Sequence, residues 1–534
     1  MNNLKDMDKV FVVADLLKDR AASMPNKTYL IFEDKSVTYQ EFDRATDCLA
    51  AGFQQIGIKQ KENVAVLLPN GLEIIHTYMA LWKLGVVAVP ISNILLPNEW
   101  EYYFTSSQAK VLVTNSAFLE KILTIKDRLG YLEQIILVGE AGEFPSLTWK
   151  IHELEALLGC TKQFEAPVLR PHDVILICYT SGTEGKPKGA MITNKSITWD
   201  AKAYIGTLGW KENDKAWAAL PLFHFFAISW GIVGMCTAGG TYIIHERYEP
   251  VKILQSIEKH KATVTFGPTP IYSGLLYCPE LPEYDISSFR MGACGGQTLP
   301  IGFLREWDGN PYLKKCLLLE IYGQTEAAPA VTIPRPGEER RLGSAGPALE
   351  GIEMKIVDDS MEEVPIGEVG EIVYRGPNML KGYWQMPEAT EATLKLGWLR
   401  SGDLGRMDSD EFLYVVDRKK DMIRYRGFPV FPKEAEDVLS THPAVEQVAI
   451  VGSPHPIDGD IPKGYIVLKK GSTASADELI SYSKEKLASY KTPRIIEFVD
   501  SLPISPTGKI LKRVLREQEL NKLAEEDRLK GLKK

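Results

Sequence analysis

The residues whose types could do chemistry gather first in "YTSGTEGKPKGAM", Tyr179 to Met191, directly after the apolar run "VILIC" from Val174 to Cys178. Glycines let backbone N–H groups approach an anion closely, Ser181 and Thr183 add hydroxyl donors, and Lys186 and Lys188 add positive charge. A strand running into such a loop suits a phosphate cradle. It is not a Walker loop, because Gly185-Lys186 is followed by Pro187 where Ser or Thr is needed and the preceding glycine is out of register. An exposed glycine turn is the competing reading on composition alone.

Other reactive types are scattered, and each has an ordinary reading when taken singly. Glu326 in "IYGQTEAAP" reads as a solvated charge, and Asp403 in "WLRSGDLG" as a turn former beside Gly402. His224 in "PLFHFFA" reads as a core histidine. Lys509 follows Ser505-Pro506-Thr507-Gly508, a β-turn pattern that would present it on a short tip.

The elements that must position these residues are legible as hydrophobic patterns. Between Lys61 and Gly139, "NVAVLL", "VVAVP", "KVLVT" and "QIILVG" alternate with amphipathic stretches, with Leu72, Ile75, Met79 and Trp82 at helical spacing. The alternation resumes in "TYIIHE", "ATVTFGP", "SFRMGACGG" and "CLLLEIYG", with "PVKILQSIEKHK" as a helix. Strands alternating with helices predict parallel sheets covered on both faces. From Ser344 to Asp417 the texture becomes short strands and glycine turns, suited to a small barrel-like β unit. The charged connector "VDRKKDMIRYRG", Val416 to Gly427, then leads into a compact α/β unit with strands at "VEQVAIVG", "GYIVLKK" and "IIEFVD" and a helix at "SADELISYSKEKLASY". The expected fold class is α/β: a large N-terminal domain over 1–416 with two doubly wound sheets and the β unit, and a small mobile C-terminal domain over 417–534.

Composition narrows the function. A chain of 534 residues with 45% hydrophobic and 25% charged positions forms several packed units, and a net charge of −8 argues against nucleic-acid partners. Seven cysteines without a C-x-x-C pair fit neither a disulfide framework nor a zinc site, and the charged start lacks a secretion signal, so the expected location is cytoplasmic. The run from Trp217 to Ile244 lacks Asp, Glu, Lys and Arg and is long enough to span a bilayer. Pro221, His224 and Gly239-Gly240 interrupt it, so a buried helix and strand are expected, with peripheral membrane contact as the alternative. Oligomeric state is not legible.

Taken together the motifs resemble the adenylate-forming enzymes: acyl-CoA synthetases, peptide-synthetase adenylation domains and beetle luciferases. "YTSGTEGKPKG", "PLFHFFA", "GACGGQTLP", "IYGQTEAAP", "GEVGEIVYRGPNMLKGYW", "WLRSGDLG", "VDRKKDMIRYRGFPV" and "PISPTGKILKR" fall in that family's order over nearly the whole chain. The resemblance implies attack of a carboxylate on the α-phosphate of ATP, giving an acyl-adenylate and pyrophosphate, followed by transfer to coenzyme A. It also implies the site. Thr180, Ser181, Gly182, Thr183, Glu184, Gly185, Lys186 and Lys188 would hold the phosphates, with Thr183 and Glu326 at Mg²⁺ and Thr325 on the α-phosphate. Adenine would lie at Gly295, Gly296, Gln297, Glu320, Ile321 and Tyr322, with Asp403 on the ribose and Arg418 reaching ribose or phosphate.

By the same resemblance Lys509 is the catalytic lysine, and Lys420 is a hinge that rotates the small domain between half-reactions. Arg424, Arg426 and Gly427 would then face coenzyme A. His224 positions the carboxylate, with Phe225, Phe226, Ile228, Trp230, Pro268 and Tyr272 lining the acyl site. That apolar lining favours a fatty or aryl acid over acetate or an amino acid, and the leading expectation is a medium- or long-chain fatty acid. Alternatives are transfer to a carrier protein or amine, a luciferase-like oxygenase, and a non-catalytic lipid-binding scaffold. Glu184 departs from the family's Thr-Thr-Gly, placing a carboxylate beside the phosphates, and "RYRG" has arginines where lysines are usual.

Overall fold

The computed structural model describes residues 11–139, 148–180, 186–426, 428–455, 458–504 and 510–531. Two seven-stranded sheets form the bulk of it. In one, parallel strands run in the order Lys150–Glu153, Gln134–Val138, Val111–Asn115, Asn63–Leu67, Val87–Pro90 and Val174–Thr180, and Lys188–Thr193 closes the edge antiparallel. In the other, Leu317–Glu320, Met291–Cys294, Val264–Gly267, Lys215–Ala218, Thr241–Ile244 and Thr28–Phe32 are parallel, and Lys35–Thr38 is antiparallel. Strands such as "NVAVL" are buried at every position, as expected of a parallel sheet covered on both faces.

Helix boundaries follow local chemistry. Thr38 caps Tyr39–Gln55 by accepting from the Glu41 N–H, while the Glu41 carboxylate accepts from the Thr38 N–H at 2.8 Å. Leu72, Ile75, Met79 and Trp82 are all buried in the helix Leu72–Lys83. The apolar run from Trp217 supplies a strand end, a π-helix over Ala227–Gly234, one α-turn and the strand Thr241–Ile244. Two glycines make its packing possible, since a Cβ at Gly231 would collide with the Tyr242 ring and one at Gly234 with the Tyr204 hydroxyl. Among the described residues no helix is long and apolar enough to cross a membrane. All seven cysteines are free thiols.

The β unit is a five-stranded antiparallel sheet of Glu353–Val357, Gly370–Arg375, Trp398–Met407, Leu394–Lys395 and Leu413–Arg418. Past it, Ile423–Tyr425, Phe428–Val430, Val445–His455, Gly459–Leu468 and Ile495–Phe498 build the last sheet around its own apolar cluster. The helix expected over "SADELISYSKEKLASY" is shorter, spanning Ala476–Lys484. Glu485 and Lys486 are exposed, and the chain turns so that the Tyr490 ring stacks on Phe428 at 5.1 Å.

The charged connector is tied on both sides. Lys419 pairs with Asp359 at 2.6 Å and Glu371 at 2.9 Å, while the Lys433 N–H donates to Asp417 at 2.9 Å.

Candidate active site

The strands Val174–Thr180 and Lys188–Thr193 pair antiparallel as the two arms of a hairpin, with Thr180 facing Lys188. Ser181, Gly182, Thr183, Glu184 and Gly185 lie outside the described residues, as do Gly427 and Lys509. What is described is the pair of strand ends on either side of residues 181–185. The Thr180 hydroxyl donates to the Lys188 carbonyl at 3.4 Å, and Gly189 is needed because a Cβ there would press on Ile177 and the Tyr179 ring. The Lys186 ammonium lies 5.5 Å from the Tyr102 ring centre, and the Tyr102 hydroxyl donates to the Pro187 carbonyl at 2.7 Å.

The segment Leu380–Trp384 braces this hairpin. The Met191 N–H donates to Gly382 O and the Lys381 N–H to Met191 O, both at 2.9 Å, and the Trp384 N–H donates to Gly189 O at 2.8 Å. Tyr383 is thereby placed between two predicted site residues. Its hydroxyl donates to Glu326 Oε1 at 2.8 Å, and its ring carries the Lys188 ammonium 5.2 Å from its centre. Burial raises the Glu326 pKa, the Tyr383 hydrogen bond and the Lys188 charge oppose that rise, and Asp403 adds to it. Glu326 and Thr325 sit on a single 3₁₀ turn, Thr325–Ala327.

On the nucleotide side, Asp403 Oδ2 accepts from the Tyr322 hydroxyl at 2.9 Å and from Gln324 Nε2 at 2.7 Å. Asp403 also stands opposite Arg418 in the antiparallel ladder, with Arg418 Nε 3.7 Å from Oδ1. Gln324 is itself held by Ser401 O at 2.9 Å and by the Tyr374 hydroxyl at 3.1 Å. At the adjoining carboxyl ends of the parallel strands, the place where open α/β sheets bind ligands, Gly295 is hemmed in by Ile321 and Phe226. Gly296 takes φ of 91°, and Gln297 follows it on the exposed rim. Glu320 ends its strand 5% exposed with neither carboxylate oxygen at hydrogen-bond distance from a partner among the described residues. Burial pushes its pKa up to about 7, partly offset by Lys433 and the Leu299 amide.

His224 opens the apolar side. Its Nδ1 accepts from the Phe226 N–H at 3.3 Å, which in the neutral ring leaves the proton on Nε2 and makes that atom a donor. Phe225, Phe226, Ile228 and Trp230 follow, all buried. Trp230 stacks on Tyr204 at 4.1 Å and meets Phe226 at 5.0 Å, Trp210 at 5.6 Å and Phe266 at 5.8 Å. Pro268 caps the helix Thr269–Leu276 and is partly exposed. Tyr272 lies apart from that cluster, its hydroxyl donating to Ala293 O at 2.7 Å and its ring packed on Trp307 at 5.7 Å. Arg424 is exposed, and Arg426 is paired with Asp458 at 2.8 Å. Lys420 sits beside Asp421, whose N–H donates to Arg418 O at 3.0 Å.

Comparison with known proteins matches this arrangement to one family. The model for the AMP-binding enzyme aligns over residues 17–384, and that for its C-terminal domain over 434–509. The chain belongs to the AMP-binding, adenylate-forming enzymes. The enzyme is 34% identical to a feruloyl-CoA synthase of Amycolatopsis sp over 93% of its own length and 97% of the relative's. It is 31% identical to a long-chain-fatty-acid–CoA ligase of Bacillus subtilis over 94% of each chain. Its fold matches the anthranilate CoA ligase AuaEII in complex with anthranoyl-AMP with a TM-score of 0.89 at 28% identity, covering 96% of this chain and 98% of that one. ATP-bound MatB from Rhodopseudomonas palustris follows at a TM-score of 0.85 and 26% identity, covering 95% and 98%. The enzyme is an AMP-forming acid–thiol ligase.

Sequence reasoning missed Tyr383, Gln324 and Tyr374, which contact the predicted carboxylates directly or through one another. Tyr383 belongs to "GPNMLKGYW", a motif visible in the sequence, but nothing in it revealed that the tyrosine reaches back 57 residues to Glu326.

Proposed function

We propose that the enzyme activates a compact aromatic carboxylic acid, forming its adenylate from ATP and passing the acyl group to coenzyme A. The observation that carries the choice of acid is Trp230: it is fully buried, stacked on Tyr204 and boxed by Phe226, Trp210 and Phe266. A long alkyl chain running past His224 would have to displace that ring, whereas a flat acid stops against it. The feruloyl-CoA synthase and the anthranilate ligase among its relatives are named for aromatic acids. The second reading keeps a medium- or long-chain fatty acid, supported by the apolar lining and by the long-chain ligase at 31% identity.

The roles follow from charge. Carboxylate and triphosphate repel each other, so cations and oriented donors must offset the charge in a site with little water. Lys186, Lys188 and the glycine-rich stretch 180–185 take the β- and γ-phosphates, and Thr325 takes the α-phosphate. Glu326 fits a hard cation, with an oxygen donor already oriented by Tyr383. Among the described residues no group of three His, Cys, Asp or Glu could hold a metal alone, so Mg²⁺ would be shared by Glu326, Thr183 and phosphate oxygens. When bound, Mg²⁺ neutralises phosphate charge. His224 Nε2–H donates to the acid's carboxylate. Adenine lies between Gly295, Gly296 and Gln297 on one side and Tyr322 on the other, near Glu320 and Ile321, and the ribose hydroxyls meet Asp403 and Arg418. Lys509 stabilises the charge that develops as the carboxylate attacks. The domain over 417–534 then turns about Lys420, bringing Arg424, Arg426 and Gly427 to the thiol substrate.

The test is a panel of benzoates, cinnamates and straight-chain acids assayed with ATP, Mg²⁺ and coenzyme A, following AMP and thioester together. Equal release of both with aryl acids, and kcat/KM at least ten-fold lower with straight chains longer than the aryl acids, supports the reading. Preference for long chains moves the assignment to fatty acids, and AMP without thioester moves it to another acceptor.

A further inference from the structure

The turn bearing Thr325 and Glu326 is followed by Ala327–Ala330, a stretch whose main-chain groups are held from three separate parts of the chain. Asn378 Nδ2 donates to Ala327 O at 2.6 Å and Ala330 O at 2.8 Å. The Ser229 hydroxyl donates to Ala328 O at 3.2 Å. The Ala330 N–H donates to the Asp200 carboxyl at 3.2 and 3.4 Å. The turn itself is pinned by the Leu380 N–H, which donates to Glu326 O at 2.8 Å. Ala328 holds φ of 60°, a left-handed conformation that a non-glycine residue keeps only when its surroundings enforce it.

Asp200, Ser229 and Asn378 are each fully buried. Asp200 stands midway along the helix Asn194–Leu208, with Asn378 Nδ2 3.4 Å from its Oδ1 and, among the described residues, no cation paired with it. A carboxyl of this kind costs several kcal/mol to keep charged, so a chain that only needed packing there would be served by an apolar side chain.

We propose that Asp200 and Asn378 are positioning residues for Glu326: they fix the main chain of 327–330 and so aim a carboxylate they do not touch. The inference rests on the proposed role of Glu326 at the metal–nucleotide. The network also explains why the acid can sit in the core. Burial raises the Asp200 pKa well above the usual carboxylate range, the Ala330 and Asn378 hydrogen bonds oppose that rise, and a protonated carboxyl would offer one acceptor and one donor. The acceptor meets the Ala330 N–H, and the donor enters a cluster in which Asn378 Oδ1 has no partner among the described residues. An amide offers the same pair of functions, so Asp200→Asn is the conservative replacement.

The experiment compares wild type with Asp200→Asn, Asp200→Ala, Asn378→Ala and Asn378→Ser. It measures the Mg²⁺ half-saturation and kcat of acid-dependent pyrophosphate–ATP exchange, the KM of the acid, calorimetric binding of Mg²⁺·ATP, and Tm. Asp200→Ala and both Asn378 variants are expected to raise the Mg²⁺ half-saturation and lower kcat at least ten-fold, with the KM of the acid within about two-fold and Asp200→Asn close to wild type. Should Asp200→Ala not fold, Asn378→Ser and Asp200→Asn carry the comparison. Lower Tm with unchanged Mg²⁺ half-saturation and unchanged Mg²⁺·ATP affinity would overturn the proposal and leave the cluster a packing feature, as would an Asp200→Asn variant as damaged as the alanine variants. Calorimetry needs no acid, so absence of exchange in the wild type would count against the proposed activity alone.

Discussion

Tyr322 and Asp403, 81 residues apart in the chain, are joined by a hydrogen bond of 2.9 Å from the phenol to carboxylate Oδ2. With Gln324 on the same oxygen at 2.7 Å, it locks the strand end that would face adenine to the carboxylate that would face ribose. The proposed nucleotide pocket is therefore preorganised across two sheets. Tyr322→Phe keeps the ring and removes the phenol; it should raise the KM for ATP roughly ten-fold, the worth of one hydrogen bond to a charged group. Steady-state kinetics with the acid saturating checks this, and kcat should change less than KM.

Glu320 gives a pH signature. Its pKa is pushed up to about 7 by burial. Below the unfolded value of about 4.5 the group is neutral in both states and contributes no pH dependence. Between about 4.5 and about 7 the unfolded carboxyl ionises while the buried one holds its proton, so stability is lost across that window and levels off once the folded group ionises too. Glu320→Gln should come closest to wild type in Tm near pH 4 and exceed it by the widest margin above pH 8, by up to roughly 3 kcal/mol in stability. Thermal denaturation from pH 4 to 9 measures it, and parallel curves for the two proteins would refute the assignment.

In the proposed reading Trp230 sets the depth of the acyl site. Trp230→Leu keeps the site apolar and opens it, so kcat/KM for straight-chain acids of eight or more carbons should rise roughly ten-fold while aryl acids lose a similar factor. A variant that merely loses activity on every acid would place the ring outside the acyl site.

Lys509 should separate the half-reactions. Lys509→Ala is expected to lower adenylate formation by at least 10²-fold, the usual loss when one stabilising donor is removed, and to leave thioester formation from supplied acyl-adenylate within a few-fold. Single-turnover assays of each half-reaction read this directly, and equal losses in both would remove the assigned role.

Much of this was legible before any coordinates. Parallel strands buried on both faces announce themselves as unbroken Val, Ile and Leu runs, which is why "NVAVLL", "KVLVT" and "CLLLEIYG" fall on strands. The glycine-rich motif stood out in the sequence because glycines, hydroxyls and lysines gather there at close spacing directly after an apolar strand. Contacts that tie motifs together were not legible. Tyr383 on Glu326 and Gln324 on Asp403 join residues 57 and 79 apart, and local pattern carries no trace of such pairings. The π-helix at Ala227–Gly234 was hidden because its composition does not differ from that of a buried α-helix. Asp200 was hidden because, within "NKSITWDAKAYIGTL", a lone acid reads as solvent-facing.

The account's central claim is that the carboxylate itself attacks the α-phosphate. Turnover of a benzoate labelled with ¹⁸O in both carboxylate oxygens, followed by mass spectrometry of the products, tests it most directly. The expected result is one ¹⁸O in the phosphate of AMP and one in the thioester carbonyl for each turnover. Label in inorganic phosphate with ADP as the nucleotide product, or AMP free of label, would contradict the account.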